Sequence, residues 1–542
     1  MNIKNHEEFI EKLFNEMTDE DLAGQLMCIQ MNGKKISDEE FEELAKKIRP
    51  GGLFFGGDTT RETIEKCTAI VNKYSKVPVI IACDVENGPG CVLKDETYLP
   101  RPMAWGACDD AELIERAGKV TGEICRKNGI HWTFAPIVDI NFNKDNPVVN
   151  IRAVSDDPKQ VVKIAGAYVR GLQKDGMMMA ACKHFPGDGL DDRNQHFCTT
   201  VNHYSKEEWM ETYGYVYKEM IKEDTASIMV AHIDLPWVGD EVDPVLGGKP
   251  ATLSKKIMTD LLKGELSYKG CIVSDAMSMV GTSVMCPPDK LSVTFIKSGG
   301  DMLLFPAPKD FDYLLEAIKS GELTKDRVKD AILRILKLKM KARLFEDQKA
   351  LQDEINITED IQKLSEEIAD RSITVIRNTQ NLIPLNLKKG SKFLLVNLNK
   401  QGGPSFMKDI SVLTEELEKR GYKADTLSDN DHYLLGEIKD NYDCILINCR
   451  MEPSNYLGGT MRINWDNIMP FWRGVAVDHK RVIFTSFGDP YKLYELPFLR
   501  TYVNAYGAAK ESLKAFVKVL VGEIEAVGKS PVELEGFFKR EV

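Results

Sequence analysis

A dense group of reactive side chains follows an apolar run in the segment MMMAACKHFPGDGLDDRNQH (177–196). The polar residues after the Pro-Gly turn include carboxylates, a guanidinium, an amide and an imidazole, and an amine and a second imidazole precede the turn. An apolar strand that ends in such groups is typical of α/β enzymes, which carry their chemistry at the carboxyl ends of strands. The same pattern also fits a solvated loop without chemistry, so the rest of the chain has to decide.

Eight short β-like runs divide the first 310 residues, with segments of helical period between them. Several runs are apolar throughout, which is typical of strands buried on both faces of a parallel sheet. Eight strand–helix repeats predict an α/β fold with an N-terminal (β/α)8 TIM-like barrel; an open doubly wound sheet is the alternative. The runs are 25–31, 51–55, 77–84, 131–140, 177–184, 226–233, 269–275 and 299–305.

Five of these runs end in, or close to, ionisable side chains. All strands of such a barrel point the same way, so their carboxyl ends meet at one rim. We therefore expect these side chains to lie together, and their convergence predicts an enzyme. They are Asp84, Asp139, Lys183 with His184, His232 and Asp275.

The pattern changes after residue 310. A long helical segment of mixed charge (324–350) precedes a second set of strand candidates with helical segments between them. These features predict a smaller C-terminal α/β sandwich domain with a mostly parallel sheet. We predict a catalytic barrel over 1–345, a helical linker over 346–371 and the sandwich domain over 372–542. The strand candidates are 372–378, 392–398, 442–449, 480–487 and 501–507.

Composition restricts the partners and the location. The net charge of −12 and the pI near 5.4 argue against nucleic acid and anionic membranes as partners. The N-terminus resembles an amphipathic helix rather than a signal peptide, and no apolar run approaches membrane-spanning length. The twelve cysteines show neither a CxxC pair nor zinc-site spacing, so reduced thiols in the cytoplasm and no bound metal are expected.

Two stretches, KHFPGDGLDDRNQH (183–196) and GCIVSDAMSMVG (270–281), carry a specific resemblance when they are read together. They resemble glycoside hydrolase family 3, and within it the β-N-acetylglucosaminidase branch, with its K-H-F-P-G-x-G, D-x-H and S-D-x-x-S-M segments. The stretch ITVIRNTQNLIPL looks like the second domain of two-domain members, so the resemblance covers nearly the whole chain. Further similar segments lie at 82–90, 150–158, 230–236 and 250–254.

The resemblance implies a role for each matching residue. Asp275 would be the nucleophile that forms a covalent glycosyl-enzyme, and His196 the general acid/base. A helix N-cap is the alternative role for Asp275, and an exposed loop histidine the alternative for His196. The residues that match sugar-binding positions of the family are Asp84, Arg152, Lys183 and His184, with His232 in support.

Structural roles compete with some of these assignments. An internal salt bridge would also account for Asp84 and Arg152, and a satisfied structural histidine for His232. No organic cofactor is implied, because the proposed nucleophile and acid/base are both side chains.

Asn194 departs from the family pattern, because the branch has Asp two residues before its catalytic histidine. An amide can accept a hydrogen bond from the imidazole, but it supports the imidazolium less than a carboxylate does. Three explanations remain open: an engineered trapping variant, a natural member with altered rate or chemistry, or replacement of the missing carboxylate by Asp191 or Asp192. Asp188 stands where the branch often has His, and ENGPG (86–90) lacks the arginine of the GGRV segment.

The predicted function is a retaining exo-glycosidase that removes terminal β-linked N-acetylglucosamine from a small carbohydrate substrate. A β-glucosidase or β-xylosidase is one alternative, although no second-domain carboxylate is identified as its acid. A phosphorylase is another, because a histidine repels incoming phosphate less than a carboxylate does. A sugar-binding or regulatory protein with a weakened catalytic loop is the alternative outside the enzyme class.

Overall fold

Eight parallel strands within the first 310 residues close into a barrel, and this confirms the predicted fold class. A computed structural model describes residues 3–31, 37–399, 410–452, 463 and 480–539. Around the barrel the strand order is β1-β10-β9-β7-β5-β4-β3-β2. The barrel strands are β1 (Met27–Gln30), β2 (Gly52–Phe54), β3 (Ile80–Cys83), β4 (Trp132–Thr133), β5 (Met179–Phe185), β7 (Ser227–Val230), β9 (Cys271–Ala276) and β10 (Met302–Leu304).

Each predicted run overlaps one barrel strand, and every strand is shorter than its run, although β5 and β9 each extend one residue past the predicted end. The run 226–233 splits: β7 ends at Val230, and β8 (Ile233–Asp234) pairs with β6 (Thr200–Val201) in a separate two-stranded sheet. This small sheet joins the polar segment after β5 to the carboxyl end of β7.

Helices follow the strands. In the first 360 residues the α-helices are Ile3–Asn15, Asp19–Gln25, Asp38–Ile48, Arg61–Asn72, Pro102–Cys108, Ala111–Lys127, Pro158–Gln173, Lys206–Glu211, Tyr213–Lys222, Val280–Ser283, Pro288–Ser298, Asp310–Ser320, Lys325–Lys341 and Gln348–Glu354, and Lys256–Glu265 is a π-helix. Several begin at a capping box, for example where the Ser37 hydroxyl accepts from the Glu40 N–H and the Glu40 carboxylate from the Ser37 N–H.

Aromatic side chains fill the barrel interior. Phe54 stacks on Phe134 with ring centroids 5.8 Å apart, and Trp132 and Phe305 meet this pair edge-on. These residues lie on or directly after β2, β4 and β10, where the apolar runs predicted strands buried on both faces. The barrel is therefore a packed core that holds its strand ends in fixed positions.

The chain divides into two compact units that are not continuous in sequence. The first comprises 1–97, 115–139 and 165–360, and the second 98–114, 140–164 and 361–542. The predicted division into 1–345, 346–371 and 372–542 remains a prediction. In the second unit Met103 and Ala107 of the helix Pro102–Cys108, and Ile151, pack against the apolar face of its sheet.

The second unit is built on a six-stranded sheet in the order β11-β16-β15-β14-β12-β13, parallel except for the β11–β16 pair. Its strands are β11 (Thr374–Asn378), β12 (Lys392–Asn399), β13 (Lys423–Leu427), β14 (Cys444–Arg450), β15 (Val482–Ser486) and β16 (Thr501–Asn504), and its later α-helices are Ile361–Ser372, Ser411–Lys419, Leu435–Ile438 and Lys510–Leu520. The sequence predicted all of these strands except β13. This edge strand, KADTL, is mostly exposed and lacks an apolar run.

Among the residues that the structure describes, no helix is both long and apolar enough to cross a bilayer.

A buried lysine lies near the amino end of β1. Lys339, on the helix Lys325–Lys341, is fully buried, and its Nζ donates to Gln25 Oε1 at 2.7 Å. Burial lowers the pKa of its amine from 10.5 to about 7. Because the unfolded chain keeps this proton up to about pH 10.5, it binds more protons than the native state above pH 7. The native state therefore gains stability from this group as the pH rises from 7 towards 10.5.

We expect Lys339→Met to stabilise the protein by roughly 2 kcal/mol at pH 6, since methionine removes a buried charge but leaves Gln25 without its donor. The gain should shrink as the pH rises through the window from 7 to 10.5. Thermal unfolding of both proteins at pH 6 and pH 9 measures the difference. Lys337→Met, at an exposed position of the same helix, is the control; an equal shift of Tm at both pH values for Lys339→Met would contradict the explanation.

Candidate functional site

Ionisable side chains gather at the carboxyl ends of four barrel strands. Asp84 follows β3, Lys183 and His184 lie near the end of β5, His232 follows β7, and Asp275 is the second-last residue of β9. These strands occupy one continuous sector of the barrel, with β4 between β3 and β5. Seven of the eight predicted site residues, including Asn194 and His196, thus belong to the first unit.

Asp275 is partly exposed, and its Oδ1 accepts the Ala276 N–H at 2.7 Å. Burial opposes its ionisation, but electrostatic interaction with the nearby imidazoles of His184, His232 and His196 lowers the pKa of the carboxyl below its ordinary value. Asp275 is therefore a carboxylate across the neutral range, with imidazoles around it. An ionised carboxylate at a strand end is suited to attack an electrophilic carbon.

His232 is fully buried beside Asp275 and holds the backbone there. Its Nε2 lies 3.0 Å from the Ala276 carbonyl oxygen and its Nδ1 3.0 Å from Thr252 Oγ1. A carbonyl oxygen only accepts, so Nε2 donates and Nδ1 accepts from the hydroxyl. Burial lowers the pKa of His232, although Asp275 acts in the opposite direction. A neutral imidazole in this position satisfies both contacts.

Lys183 is almost fully buried, and two carboxylates balance its charge. Its Nζ lies 2.9 Å from Asp84 Oδ1 and 2.7 Å from Glu86 Oε1. The contact with Asp84 is an internal salt bridge, and it leaves half of the Asp84 side chain exposed at the rim. Glu86 was not predicted as a site residue; its position two residues after Asp84 was the available signal.

His184 is held by a buried carboxylate that follows β4. Asp139 Oδ2 lies 2.6 Å from His184 Nδ1, and Asp139 Oδ1 accepts from the backbone N–H groups of His184 and Asp188. Because a carboxylate accepts, Nδ1 carries the proton of this contact. The peptide between Lys183 and His184 is cis. Asp139 was expected at the rim from its place in the sequence, but not as a partner of His184.

His196 lies on the polar segment after β5, where Asn194 contacts it twice. Asn194 Oδ1 accepts the backbone N–H of His196 at 3.0 Å and lies 2.7 Å from its Nδ1. The amide oxygen therefore occupies the place of the predicted orienting carboxylate. Asp191 instead binds the Arg193 guanidinium and the Val201 N–H, and Asp192 is exposed.

Arg152 belongs to the second unit. It ends the short 3-10 turn Asn150–Arg152, is largely buried, and its Nη1 donates to the Val148 carbonyl at 3.0 Å. Its predicted role in sugar binding remains a proposal.

The part of the rim beyond Asp275, beside β10 and β1, is mainly apolar. A cavity of about 410 Å³ opens beside β10 and β1, with mainly apolar side chains such as Met277, Leu291, Phe305 and Tyr313 in its lining. In the described part of the chain no cluster of His, Cys, Asp or Glu suits a metal ion. The polar sector between β3 and β9, rather than this cavity, has the hydrogen-bonding groups that a polyhydroxylated ligand needs.

A closed parallel barrel with an ionised carboxylate among imidazoles at its carboxyl rim defines a barrel enzyme with a polar site. The chain belongs to glycoside hydrolase family 3: the profile described as "Glycosyl hydrolase family 3 N terminal domain" matches residues 17–338, and the chain is an enzyme of that glycoside hydrolase family.

Individual relatives cover nearly the whole chain. A protein named "Beta-N-acetylglucosaminidase/beta-glucosidase" from Cellulomonas fimi is 28% identical over 537 residues, which are 96% of this chain and 94% of the relative. The structure titled "Beta-glucoside phosphorylase BglX bound to 2FGlc" is 31% identical, with a TM-score of 0.87, and the alignment covers 98% of this chain and 97% of that one. A β-N-acetylglucosaminidase from Paenibacillus sp. str. FPU-7 shares the fold at 24% identity, with a TM-score of 0.81 and coverage of 96% and 99%.

Proposed function

We propose that the protein is a retaining exo-glycosidase that removes terminal β-linked N-acetylglucosamine, with Asp275 as nucleophile and His196 as general acid/base. The observation that carries the proposal is the position of Asp275 at the carboxyl end of β9, with three imidazoles close enough to lower the pKa of its carboxyl. Retention requires a nucleophile on one face of the sugar and a proton donor on the other. A carboxylate and an imidazole are the side chains suited to these two tasks.

The reaction takes two steps in this proposal. In the first, the imidazolium of His196 donates its proton to the glycosidic oxygen while Asp275 attacks the anomeric carbon; the bond to the leaving group breaks and an ester to Asp275 forms. In the second, the neutral imidazole takes a proton from water as the water oxygen attacks the same carbon. The ester bond then breaks, and Asp275 leaves as a carboxylate.

Charged groups beside the nucleophile support a sugar ligand. The half-exposed Asp84 is held by Lys183, and His184 is oriented by Asp139. We propose that Asp84, Lys183 and His184 bind the hydroxyl and acetamido groups of the sugar through charge-assisted hydrogen bonds. The N-acetylglucosamine preference rests on the motif resemblance and on the name of the Cellulomonas fimi relative.

Phosphorolysis is a second candidate function, and a specific observation favours it. The partner of His196 is the neutral Asn194 rather than a carboxylate, so an incoming phosphate meets one negative charge fewer at the acid/base. A relative at 31% identity over nearly the whole chain has a phosphorylase title. In this reaction a phosphate oxygen, instead of water, attacks the anomeric carbon and releases Asp275.

The location that we propose is the reducing cytoplasm. No disulfide joins the twelve cysteines, all of which lie in the described part of the chain, and most of them are buried. An oxidising compartment would normally favour paired cysteines.

A two-by-two assay tests the proposed function. The substrates are 4-nitrophenyl β-N-acetylglucosaminide and 4-nitrophenyl β-glucoside, each with and without inorganic phosphate. We expect kcat/KM for the N-acetylglucosaminide to be at least about tenfold higher, with free sugar as the product. The opposite preference would contradict the glycone assignment. A sugar 1-phosphate that forms at the expense of free sugar would instead select phosphorolysis.

A further inference from the structure

The segment that carries His196 packs directly on the segment that follows Asp275. The Val280 N–H donates to the His196 carbonyl at 3.0 Å, and Thr199 Oγ1 donates to the Gly281 carbonyl at 2.7 Å. Both contacts belong to the first unit. The hydrogen bond to the residue of the proposed acid/base therefore comes from Val280, only five residues after the proposed nucleophile Asp275.

At Gly281 the backbones of the two segments approach each other closely. A Cβ built at this position lies 2.4 Å from the Gln195 carbonyl oxygen and 2.8 Å from the Cys198 carbonyl oxygen. Both atoms belong to the backbone on either side of His196, so no side chain can rotate to make room. Any larger residue must separate the two segments by about 1 Å to reach ordinary contact.

Other hydrogen bonds hold the His196 segment from the side away from Gly281. The segment therefore cannot shift as a whole when a side chain is added at Gly281. Buried Gln195 spans two elements: its Nε2 lies 3.3 Å from Asp188 Oδ2, and its Oε1 accepts the His232 N–H at 3.3 Å. In the small sheet the Thr200 N–H donates to the His232 carbonyl at 3.3 Å. A push at Gly281 is therefore expected to tilt the segment between these anchors and to change where the imidazole points.

We propose that Gly281 is a positioning residue for the reaction: its missing side chain lets the acid/base segment sit against the nucleophile segment and thereby sets the distance between His196 and Asp275. The inference rests on the proposed function, since it assumes that His196 donates the proton. Gly281 lies in the helical turn Val280–Ser283 and does not have a left-handed backbone. Alanine is favoured over glycine in such a turn. Any harm from Gly281→Ala must therefore come from the steric contact of the added methyl group.

The test compares aryl glycosides whose leaving groups differ in their need for a proton. A 2,4-dinitrophenyl glycoside departs without acid assistance, whereas a phenyl glycoside of the same sugar depends on it. For Gly281→Ala we expect kcat/KM on the phenyl glycoside to fall on the order of 10²-fold, the typical cost of a 1 Å misplacement. The value for the dinitrophenyl glycoside should change by less than about threefold.

Gly166→Ala is the matched control, because this buried helical glycine has its nearest atoms at 3.4 Å and beyond, and those belong to side chains. It should leave both substrates unchanged. Thr199→Val removes the hydrogen bond to Gly281 without a large change of volume. It should lower kcat/KM on the phenyl glycoside by about fivefold and leave the dinitrophenyl glycoside nearly unchanged. This variant carries the test if Gly281→Ala does not fold.

His196→Gln separates the two proposals. Suppose that His196→Gln loses more activity on the phenyl than on the dinitrophenyl glycoside, whereas neither single variant, Gly281→Ala or Thr199→Val, does so. The positioning role of Gly281 is then wrong, while the assignment of His196 as the acid stands. An equal loss on both substrates in the Gly281 and Thr199 variants, with a lower Tm, would indicate a purely structural role and also overturn the inference. If His196→Gln itself shows no dependence, the acid assignment fails, and the inference fails with it.

Discussion

Asp275→Ala is expected to lower kcat/KM by about 10⁴-fold or more, the usual loss when a covalent nucleophile is removed. Asp275 is the carboxylate at the end of β9 whose pKa the neighbouring imidazoles lower. Without it, the sugar has no group that can form the ester intermediate. The loss should affect good and poor leaving groups alike, which distinguishes it from the loss expected for His196→Gln.

Small anions provide a decisive second measurement. In Asp275→Ala the methyl group leaves room for azide next to the anomeric carbon, on the face that the carboxylate used. Azide should then restore release of a dinitrophenyl leaving group and give the α-glycosyl azide, because only one inversion occurs. A β-glycosyl azide would show that another side chain still forms the covalent intermediate.

Asp289→Ala serves as the control for removal of an acidic side chain. Asp289 is exposed in the first turn of the helix Pro288–Ser298, a short distance along the chain from Asp275. It should keep kcat/KM within about twofold, as expected for a surface position outside the site. A full rate in Asp275→Ala, with an unchanged Tm, would show that the nucleophile has been misassigned.

The strand ends could be predicted because one rule governs them. In a parallel barrel every apolar run points the same way, so Lys183, His232 and Asp275 had to meet once eight runs were recognised. The contacts of Asp139 and Glu86 were harder to predict. Each lies in a loop, where the turn decides which way the side chain points, and their partners His184 and Lys183 are distant in sequence.

Close approaches of backbone are not visible in a sequence. Gly281 is one of forty glycines. Only its short distance from the backbone of Gln195 and Cys198 shows why a side chain does not fit at this position. Similarly, the helix Pro102–Cys108 has no sequence signal that assigns it to the second unit, since that assignment depends on which apolar face it meets. Periodicity predicts the faces of elements, whereas packing decides which faces meet.

The other large effect is expected from a single charge beside His196. Asn194 is largely buried, and its Oδ1 accepts from both the backbone N–H and Nδ1 of His196. Aspartate has the same shape and can make both contacts, but its negative charge favours the imidazolium. Asn194→Asp should therefore keep His196 protonated to higher pH and move the alkaline limb of the kcat/KM profile upward by about one pH unit.

The rate should rise with this change, and most for substrates that need the proton. An orienting Asp-to-Asn change costs up to about 10⁴-fold in an enzyme with a comparable histidine. The reverse change should gain about 10- to 100-fold on a phenyl glycoside, since the cost of burying the new charge offsets part of the gain. Dinitrophenyl glycosides should gain little. Asn194→Ala, which removes the acceptor altogether, is the counterpart and should lower the phenyl rate.

The same substitution also decides which acceptor the site favours. A carboxylate at position 194 stands next to the base that activates the second nucleophile, and it repels phosphate but not water. If phosphorolysis contributes in the present chain, Asn194→Asp should lower the ratio of sugar 1-phosphate to free sugar at a fixed phosphate concentration, while total turnover rises. An unchanged ratio with faster turnover would mean that the charge acts on proton transfer alone. A slower reaction with an unchanged alkaline limb of the kcat/KM profile would show that Asn194 does not act through His196, despite the 2.7 Å contact between them.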